Sequence, residues 1–569
     1  MDNLDVAQAL LEIADLLEFR GDEPFKVRAY RKAAQALEML PEPVSAVAER
    51  GDLTKVPGIG KAIAAKVGEL LATGRIAYLE ELRRAIPPGV LELTAVRGLG
   101  ARTAYLLYTR LGIDSLDRLE LAARKGELRA LPGMGPRKEA AILEGLEKLR
   151  TLRREIPLGS VKPVADGLTE ILRRHPAVQA AEAAGEVRRR ADVVTGLELV
   201  VSTFDPDGVA EYLKGMDIGA REEPDGGGAA GSAAAGAAAD SRRVVLTTAL
   251  GLKISIHFVQ PDNFALTLLQ LTGSPAHLNA LGALTPAPTE EAIYAHLGLP
   301  FIPPELREGR GEVEAARAGR LPHLVEIGGI KGDLHTHTRA SDGTATALEM
   351  AQAARRLGYQ YLAICDHSQS LAVAGGLTPE RLRMQRAEIR RLNQDLGDFR
   401  LLHGTEVDIL KDGSLDFPDD VLAELDVVVA SIHSHMGLDE AAQTERLLRA
   451  IYNPHVDIIG HPTGRVLGRR APYPVDFDRI LAACRETGTA LEINASPARL
   501  DLNDELARMA IEAGVKLVIN TDAHAIPELE LMYYGVGQAR RAWAEAGNVV
   551  NTMDLEDLLA WLARPKGRD

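Results

Sequence analysis

Histidines and carboxylates recur together in the C-terminal part of this chain, and both residue types bind metals. Ten of the fourteen histidines follow residue 320. Neutral imidazoles and carboxylates are the ligands that Zn²⁺ and Mn²⁺ accept. Any one of these histidines is more simply interpreted as a core or surface residue, but their repeated acidic partners favour a multinuclear metal site that hydrolyses a phosphoester. The motifs are His335-Thr-His337 with Asp342, Asp366-His367, Glu406, His433-Ser-His435, His461 and Asp522-Ala-His524.

The segments that carry these motifs alternate between strand and helix patterns. After Gly332, short apolar runs such as Val427-Val-Val-Ala-Ser431 and Lys516-Leu-Val-Ile-Asn520 end in polar residues. This is the pattern of a parallel β/α barrel whose site lies at the carboxyl ends of the strands. Alternate side chains of a strand share one face, so the pair in His335-Thr-His337 points to the same side.

Length and composition limit the class of protein. A chain of 569 residues is expected to form about four domains. Its two cysteines cannot build a disulfide framework and suit a reducing cytoplasm. We see neither a signal peptide nor an apolar run that would cross a bilayer, so we expect a cytoplasmic protein without membrane contact. The net charge of -15 argues against a generally basic nucleic-acid binder but leaves local phosphate contacts open. We expect a monomer.

Residues 1–150 have helical patterns interrupted by three turns of the form apolar-x-Gly-x-Gly, each followed by a helix rich in Ala and Leu. Glycines let backbone N–H groups approach a phosphate oxygen, and the dipole of the following helix adds attraction for the anion. A single copy of this turn would not indicate DNA binding specifically, but three copies favour binding to a DNA backbone. The predicted DNA-binding residues are Gly58, Gly60, Lys61, Gly98, Gly100, Gly133 and Gly135.

These turns, together with the segment Phe25-Lys-Val-Arg-Ala-Tyr-Arg-Lys32, resemble the 8-kDa domain and fingers of family X DNA polymerases, which bind DNA through helix-hairpin-helix turns. The resemblance implies that Lys26, Tyr30 and Lys61 form a pocket for the 5′-phosphate of a DNA gap. Lys66 falls where some members carry the Schiff-base lysine of a deoxyribose-phosphate lyase. A solvated helix lysine is the simpler interpretation, because the sequence shows nothing that would activate its amine.

The segment from Gly185 to Val201 resembles the nucleotidyltransferase motif of the same family, which has Gly-Ser, an Arg pair and Asp-x-Asp on a strand. The resemblance implies an α+β palm followed by a thumb. It also implies a nucleotide-binding set made of Gly185, Arg189, Gly273 and Ser274. In the family, three palm carboxylates hold two metals that activate the primer 3′-OH and neutralise the triphosphate.

This chain departs from that motif at its chemical positions. The three family carboxylates correspond to Gly196, Glu198 and Ser255, and the family Ser corresponds to Glu186. One carboxylate supplies too little negative charge for two divalent cations, and Glu186 would repel a triphosphate. Glu198 is therefore the one catalytic candidate of the palm, where it would hold a single Mg²⁺ or Mn²⁺, with Asp192 as a possible second carboxylate. We predict weak or absent templated synthesis.

The histidine motifs resemble those of the PHP (polymerase and histidinol phosphatase) family, beginning at Gly332-Asp-Leu-His335. The resemblance implies up to three Mn²⁺ or Zn²⁺ ions and a metal-activated hydroxide, with Glu406, Asp522 and His335 as catalytic residues. Three ligand sets are implied: His335, His337, Glu406 and Asp522 for the first ion; Glu406, His433 and His461 for the second; and Asp342, His367 and His524 for the third.

Some roles around this set stay open. His435 is the alternative to His433, because both follow the same strand. Asp366 and Asp408 are expected to orient ligands rather than bind metal. Arg465 and Arg339 are candidates for a phosphate contact, with a solvent-exposed arginine as the equal alternative.

The resemblance implies a multidomain order: an all-α helix-hairpin-helix domain, an α+β nucleotidyltransferase palm with thumb, and a distorted β/α PHP barrel. The expected domains are 1–85 (8-kDa-like), 86–155 (fingers), 156–262 (palm), 263–325 (thumb and linker) and 326–569 (PHP). The implied function is DNA repair, with a 3′–5′ exonuclease or phosphoesterase acting on gapped, nicked or 3′ ends and dNTP as a further ligand. A competent gap-filling polymerase with an unusual metal site and a non-catalytic DNA-end scaffold are the alternatives.

Overall fold

The computed structural model describes residues 3–564 except 39, 41–43, 86–89, 91–92, 94–95, 97–98, 132–133, 155, 216–219, 223–241 and 249–250. The chain divides into two compact units, residues 1–153 with 372–375, and residues 154–371 with 376–569. Within the described ranges, no helix combines the length and the apolar composition that a bilayer crossing requires.

The first unit is built from helices. Val6, Leu10, Ile13 and Leu17 recur at helical spacing in the first helix, and all four are fully buried. The helices are α1 (Asn3–Arg20), α2 (Pro24–Glu38), α3 (Val44–Glu49), α4 (Lys61–Thr73), α5 (Ala77–Ala85), α6 (Ala101–Leu111), α7 (Leu116–Arg124) and α8 (Pro136–Arg154), with short 3₁₀ helices at Leu53–Lys55 and Glu127–Ala130. The predicted all-α class is confirmed for this part of the chain.

The glycine turns begin helices as the sequence predicted. Gly60 and Gly100 are the extended residues that immediately precede α4 and α6, and Gly135 immediately precedes α8. Gly58 has a φ of 99°, which favours glycine, and an added Cβ would lie 3.1 Å from the Lys32 side chain. Gly98 and Gly133 lie outside the described residues.

The second unit opens with a mixed sheet that matches the α+β palm. The elements are β1 (Ile156–Pro157), α9 (Leu158–Arg173), β2 (Val178–Ala183), α10 (Gly185–Arg188), β3 (Val193–Val194), β4 (Leu197–Thr203), α11 (Pro206–Lys214), β5 (Ala220–Glu222), β6 (Arg242–Thr248) and β7 (Lys253–Val259). The strand order of the sheet is β2-β4-β7-β6-β5; β4 and β7 are parallel, and the other neighbours are antiparallel. Strands β1 and β3 form a separate antiparallel ribbon.

Short helices follow the palm and form the thumb around buried charged side chains. Arg307 is fully buried, and it donates to Glu290 at 2.6 Å and to the Ile302 carbonyl at 2.8 Å. Arg188 of α10 donates twice to the same Glu290 carboxylate, at 2.9 and 2.6 Å. The helices are α12 (Phe264–Thr272), α13 (Pro275–Leu281), α14 (Glu290–His296) and α15 (Glu312–Arg317), with 3₁₀ turns at Pro261–Asn263 and Pro304–Leu306.

The remaining residues form a seven-stranded parallel barrel surrounded by helices. The strands follow one another in chain order from β8 to β14, and β14 returns to β8 where Asp522 N donates to the His335 carbonyl. The elements are β8 (Gly332–Thr336), α16 (Ala347–Arg356), β9 (Tyr361–Ile364), α17 (Pro379–Asp395), β10 (Arg400–Asp408), α18 (Asp419–Leu422), β11 (Val427–Ser431), α19 (Glu440–Ile451), β12 (Ile458–Ile459), α20 (Phe477–Thr487), β13 (Ala490–Asn494), α21 (Asp504–Glu512), β14 (Leu517–Asn520), α22 (Met532–Arg541) and α23 (Leu555–Leu562); 3₁₀ turns lie at Ile327–Gly329, Ala372–Ala374, Ile526–Leu531, Ala546–Asn548 and Val550–Thr552.

The strand residues that face the barrel interior are apolar along most of the strand and polar at its carboxyl end. Leu402 and Glu406 are four residues apart on β10 and therefore share one face. Leu402, Val429 and Val518 belong to one apolar cluster with Leu558 of α23. Glu406 lies further along the same face, at the carboxyl end of its strand. The predicted barrel, with polar residues at its strand ends, is confirmed.

We predict that Glu290→Gln lowers the free energy of unfolding of the thumb by about 3 kcal/mol, because it leaves the buried Arg307 guanidinium and the partly buried Arg188 guanidinium without their anion. Burial alone would raise the pKa of Glu290, but Arg188 and Arg307 hold it below its ordinary value. The stabilisation is therefore present above the unfolded-state pKa and is lost as the pH falls through the folded-state pKa. Hydrogen exchange of peptides from 290–317 in urea measures it at pH 7 and at pH 4.

The matched control is Glu170→Gln, since Glu170 forms an exposed pair with Arg174. We expect less than about 0.5 kcal/mol there. Equal effects of the two variants would contradict the assignment of thumb stability to Glu290.

Candidate metal centre

Glu406 is the common neighbour of five histidines. Its side chain is fully buried at the end of β10. The nearest imidazole nitrogens lie 2.8 Å (His367) and 2.9 Å (His461) from its carboxylate oxygens. Those of His433, His335 and His337 lie at 3.2, 3.5 and 3.7 Å. Nitrogens at 2.0–2.1 Å from a tetrahedral zinc are about 3.3 Å apart, so these separations suit ligands that share ions.

All nine predicted ligands meet at this end of the barrel, in overlapping groups. Asp522 lies 3.0 Å from His337 and 3.7 Å from His335. Asp342 lies 3.3 Å from His367 and 3.4 Å from His524. Three groups have the spacing of a metal site: His335, His337 and Asp522; His367, Glu406 and His433; and His337, Asp342, His367 and His524. His337 and His367 each belong to two of these groups, whereas the family resemblance assigned each of them to a single ion.

Several buried polar atoms of this cluster have no hydrogen-bond partner among the described residues. They include His335 Nε2, both ring nitrogens of His337, one oxygen of Glu406 and Asp522 Oδ1. A buried polar atom without a partner costs free energy, so native structures seldom keep one without a function. The orphaned atoms aim at the shared space of the cluster. The donor set therefore fits divalent metal ions.

The structure distinguishes His433 from His435. His433 Nδ1 lies 2.5 Å from Asp408 Oδ1, and its Nε2 faces Glu406. His435 is exposed and lies outside the three groups. Asp408 is therefore placed where it could orient His433. Asp366 instead accepts from Thr338, Ser341 and Gln385, so it holds the loop after β8.

The carboxylates raise the pKa of several, but not all, of the neighbouring imidazoles. Burial lowers the pKa of His433, but Glu406 and Asp408 outweigh it and raise that pKa to about 9. Burial likewise lowers the pKa of His524, and Asp342 and Asp522 raise it to about 9. His337, which is buried beside His524 and His367, has its pKa lowered to about 4. Protons therefore balance part of the carboxylate charge when no metal is bound.

Glu492 is a functional carboxylate that the sequence analysis missed. It is fully buried on β13, and its Oε1 lies 2.8 Å from His335 Nδ1. Its Oε2 accepts from the backbone N–H of His461 at 2.7 Å. A proton on His335 Nδ1 leaves Nε2 free for a metal. The signal was present in Ala490-Leu-Glu-Ile-Asn494, a strand with acidic and amide residues on one face.

The palm contrasts with this centre. Glu198 and Ser255 are directly opposite each other on the parallel strands β4 and β7, which places two of the three family carboxylate positions side by side. Glu198 Oε2 lies 2.7 Å from His257 Nε2, and Ser255 Oγ accepts from Arg243. At Gly196 an added Cβ would lie 3.1 Å from the Lys253 carbonyl. The described residues of this cleft form no group with metal-site spacing.

The predicted nucleotide-binding residues have other partners. Arg189 donates to Glu308 at 2.8 Å and to the Thr272 carbonyl at 2.7 Å. Ser274 is the N-cap of α13. Gly185 has a φ of 61° and lies beside Glu198. At Gly273 an added Cβ would lie 3.0 Å from side chains of α13. Arg189 is therefore engaged by Glu308 and Thr272 and is not available to bind a triphosphate.

A line of alternating charges continues from Arg189 through the thumb into the barrel. Glu308 also accepts from Arg541 of α22 at 2.5 Å. Arg541 contacts Asp504 at 2.9 Å, and Asp504 contacts Arg310 at 2.9 Å. Since Arg541 is only 6% exposed, this network joins palm, thumb and barrel within the second unit.

The two arginines expected to contact phosphate also have protein partners. Arg465 is 8% exposed and donates to Asp192 of the palm at 2.8 Å. Asp192 is therefore engaged by the barrel and does not join Glu198 in the palm. Arg339 pairs with Glu349 at 3.3 Å, and its side chain is exposed.

In the first unit, the residues implied for a 5′-phosphate pocket lie on α2 and α4. Lys26 and Lys61 are exposed, whereas Tyr30 is buried, and burial raises its pKa to about 12. The Lys66 ammonium lies 5.1 Å from the centre of the Tyr78 ring, a cation–π contact. That contact accounts for Lys66 without lyase chemistry.

Family models match four segments of the chain. A helix-hairpin-helix domain matches residues 1–76, and a SAM-like helix-hairpin-helix tandem matches 90–148. The DNA polymerase beta thumb matches 278–308. The PHP domain matches 333–496.

Similar proteins fall into two groups. DNA polymerase/3′-5′ exonuclease PolX of Bacillus subtilis (strain 168) is 39% identical over 99% of this chain and 100% of its own length. A probable phosphatase of Thermoanaerobacter sp. (strain X514) is 32% identical over 39% of this chain and 88% of its own length. A probable phosphatase of Shewanella sp. (strain ANA-3) is 33% identical over 34% of this chain and 75% of its own length.

We predict that filling the cluster with Mn²⁺ or Zn²⁺ at pH 7.5 releases two or more protons. His433 and His524, each with a pKa of about 9, are protonated at that pH and must become neutral to bind a metal. Calorimetric titration in two buffers of different ionisation enthalpy counts the protons. A variant at the exposed His323, His323→Gln, is expected to release the same number. Binding without proton release would contradict this electrostatic description.

Proposed function

This chain belongs to the PolX family of family X DNA polymerases with a C-terminal PHP domain, and we propose that it trims DNA 3′ ends with its barrel while its palm has lost templated synthesis. The observation that carries this proposal is the contrast between the two sites. Nine metal-type ligands converge in the barrel, whereas a single carboxylate, Glu198, stands among the three palm positions.

The barrel residues suit hydrolysis of a phosphodiester. Bound Mn²⁺ or Zn²⁺ ions would supply a hydroxide at neutral pH and stabilise charge on the phosphate. Glu406 would hold ions together, since its carboxylate faces five imidazoles. Asp408 and Glu492 orient His433 and His335 through their Nδ1 atoms, leaving each Nε2 for an ion. Asp522 and His335 complete the proposed catalytic set.

The palm supports loss of synthesis for three physical reasons. Glu198 is paired with His257, so the remaining carboxylate has a protein partner. Arg189 is paired with Glu308 and is unavailable to a triphosphate. Glu186 adds a negative charge near the turn, where its carboxylate accepts from Thr195.

The first unit would supply sequence-independent binding to gapped, nicked or broken DNA. Gly60 and Gly100 present helix N-termini to solvent, as expected for contacts to backbone phosphates. Lys26 and Lys61 add exposed cations. We propose a role in base excision or end repair, in a reducing cytoplasm that suits the two free, buried cysteines, and a monomeric state.

We predict that the protein with Mn²⁺ shortens 5′-labelled single-stranded DNA stepwise from its 3′ end. The double variant His335→Ala, Asp522→Asn should lose this activity by about 10³-fold, which corresponds to about 4 kcal/mol in the barrier. His323→Gln serves as the control. On the same DNA carrying a 3′-phosphate, release of that phosphate without shortening would identify a phosphatase, and retained metal without any cleavage would identify the scaffold.

We predict weak or absent extension of a gapped primer with dNTPs and Mg²⁺ or Mn²⁺, tested in the same double variant so that degradation does not hide synthesis. One carboxylate cannot hold the two cations that the reaction requires. Robust extension that Glu198→Gln abolishes would establish the alternative, a competent gap-filling polymerase.

A further inference from the structure

The palm touches the barrel next to its metal centre through a partly buried ion pair. Asp192 lies two residues after Arg190, the last of the palm arginines, and its Oδ2 accepts from Arg465 Nη1 at 2.8 Å. The same guanidinium donates through Nη2 to the Leu500 carbonyl. Its Nε is buried and has no hydrogen-bond partner among the described residues. Asp192 therefore provides a principal anion for a guanidinium that is 8% exposed.

Arg465 ends the loop that begins with the metal-type ligand His461. Thr463, between them, donates its backbone N–H and its hydroxyl to the fully buried Asp501. His461 has a φ of 27° and Leu500 a φ of 45°, in the left-handed region that non-glycine residues seldom adopt. Such a backbone persists only where surrounding contacts hold it. The hydrogen bonds of Arg465 are among the contacts that hold this backbone, and one of them is made to Asp192 of the palm.

A second palm residue lies against the neighbouring barrel loop. At Gly159, near the start of α9, an added Cβ would lie 2.2 Å from the Cβ of Pro497. The backbone N–H of Leu158 donates to the carbonyl of Asp192, so both contacts arise from one joined part of the palm. The palm thus meets loop 461–465 and loop 496–501 together.

We propose that Asp192 is a positioning residue of the barrel metal centre: through Arg465 it holds the loop that aims His461 at Glu406. Asp192 itself touches neither the ligand cluster nor the reacting atoms. It sets the direction of His461, whose Nε2 lies 2.9 Å from Glu406. A palm side chain thereby serves the nuclease instead of nucleotide addition. The inference rests on the proposed function in taking this centre as the catalytic one.

The test compares Asp192→Asn with wild type in the full chain, using Mn²⁺ alone as the probe. Free Mn²⁺ is measured by its electron paramagnetic resonance signal during a titration. We expect at least one ion to bind about tenfold more weakly, the lower end of the effect of ligand-orienting groups. With 5′-labelled DNA, kcat should fall by a similar factor while KM stays unchanged, because the DNA-binding surface is intact.

The control is Glu182→Gln, a palm carboxylate whose 2.6 Å partner, Arg173, also belongs to the palm. It should leave Mn²⁺ binding and kcat unchanged. The double variant Asp192→Asn, Arg465→Met removes both charges of this pair, so neither partner is left without the other, and it tests the contact if the single variant does not fold. We expect the same weakened Mn²⁺ binding.

Unchanged Mn²⁺ affinity in the folded single variant or in the double variant overturns the proposal. If the wild-type protein binds Mn²⁺ but leaves DNA 3′ ends intact, that result contradicts the proposed exonuclease activity instead. The comparison of Mn²⁺ affinities still decides the role of Asp192 in that case.

Discussion

A fully buried carboxylate surrounded by imidazoles is the constraint on which the barrel depends. Removing the charge of Glu406 from water is costly unless cations compensate it. The imidazoles can do so as protonated groups or as ligands of metal ions, and both states require the strand ends to converge. The apolar cluster around Leu402 and Val429 fills the barrel interior. The charged residues are thereby confined to one end of the barrel.

In the palm, the charged side chains pair with residues of the thumb and barrel instead of forming a cluster of metal-type ligands. Its arginines face glutamates of the thumb, and the line from Arg189 through Glu308 to Arg541 runs into the barrel. Buried ion pairs of this kind add little net stability compared with apolar contacts, but breaking one is costly, so they hold a particular geometry. Arg189, which the sequence places among the nucleotide-binding residues, thus connects the palm to the thumb and barrel. Glu198 is the one carboxylate among the three compared positions of this palm.

Much of the fold followed from local patterns. The helices after Gly60 and Gly100 and the strands that end at Thr336 and Asn520 were predicted because periodicity and turn residues act over a few positions. The convergence of the metal-type residues followed from parallel strands ending at one side of a barrel. Glu492 was not predicted as part of the site. Its partner, His335, is 157 residues away, and no residue near Glu492 in the chain indicates that contact.

The sequence alone determined the residue types at each strand end and turn, and hence the metal-type ligands of the barrel and the single carboxylate at the three palm positions. Only the tertiary structure decided the partner of each charge: His433 rather than His435 beside Glu406, Glu308 beside Arg189, and Asp192 beside Arg465 across 273 residues. Secondary structure reflects interactions between near neighbours, whereas ion pairing depends on distances that exist only after distant segments have packed together.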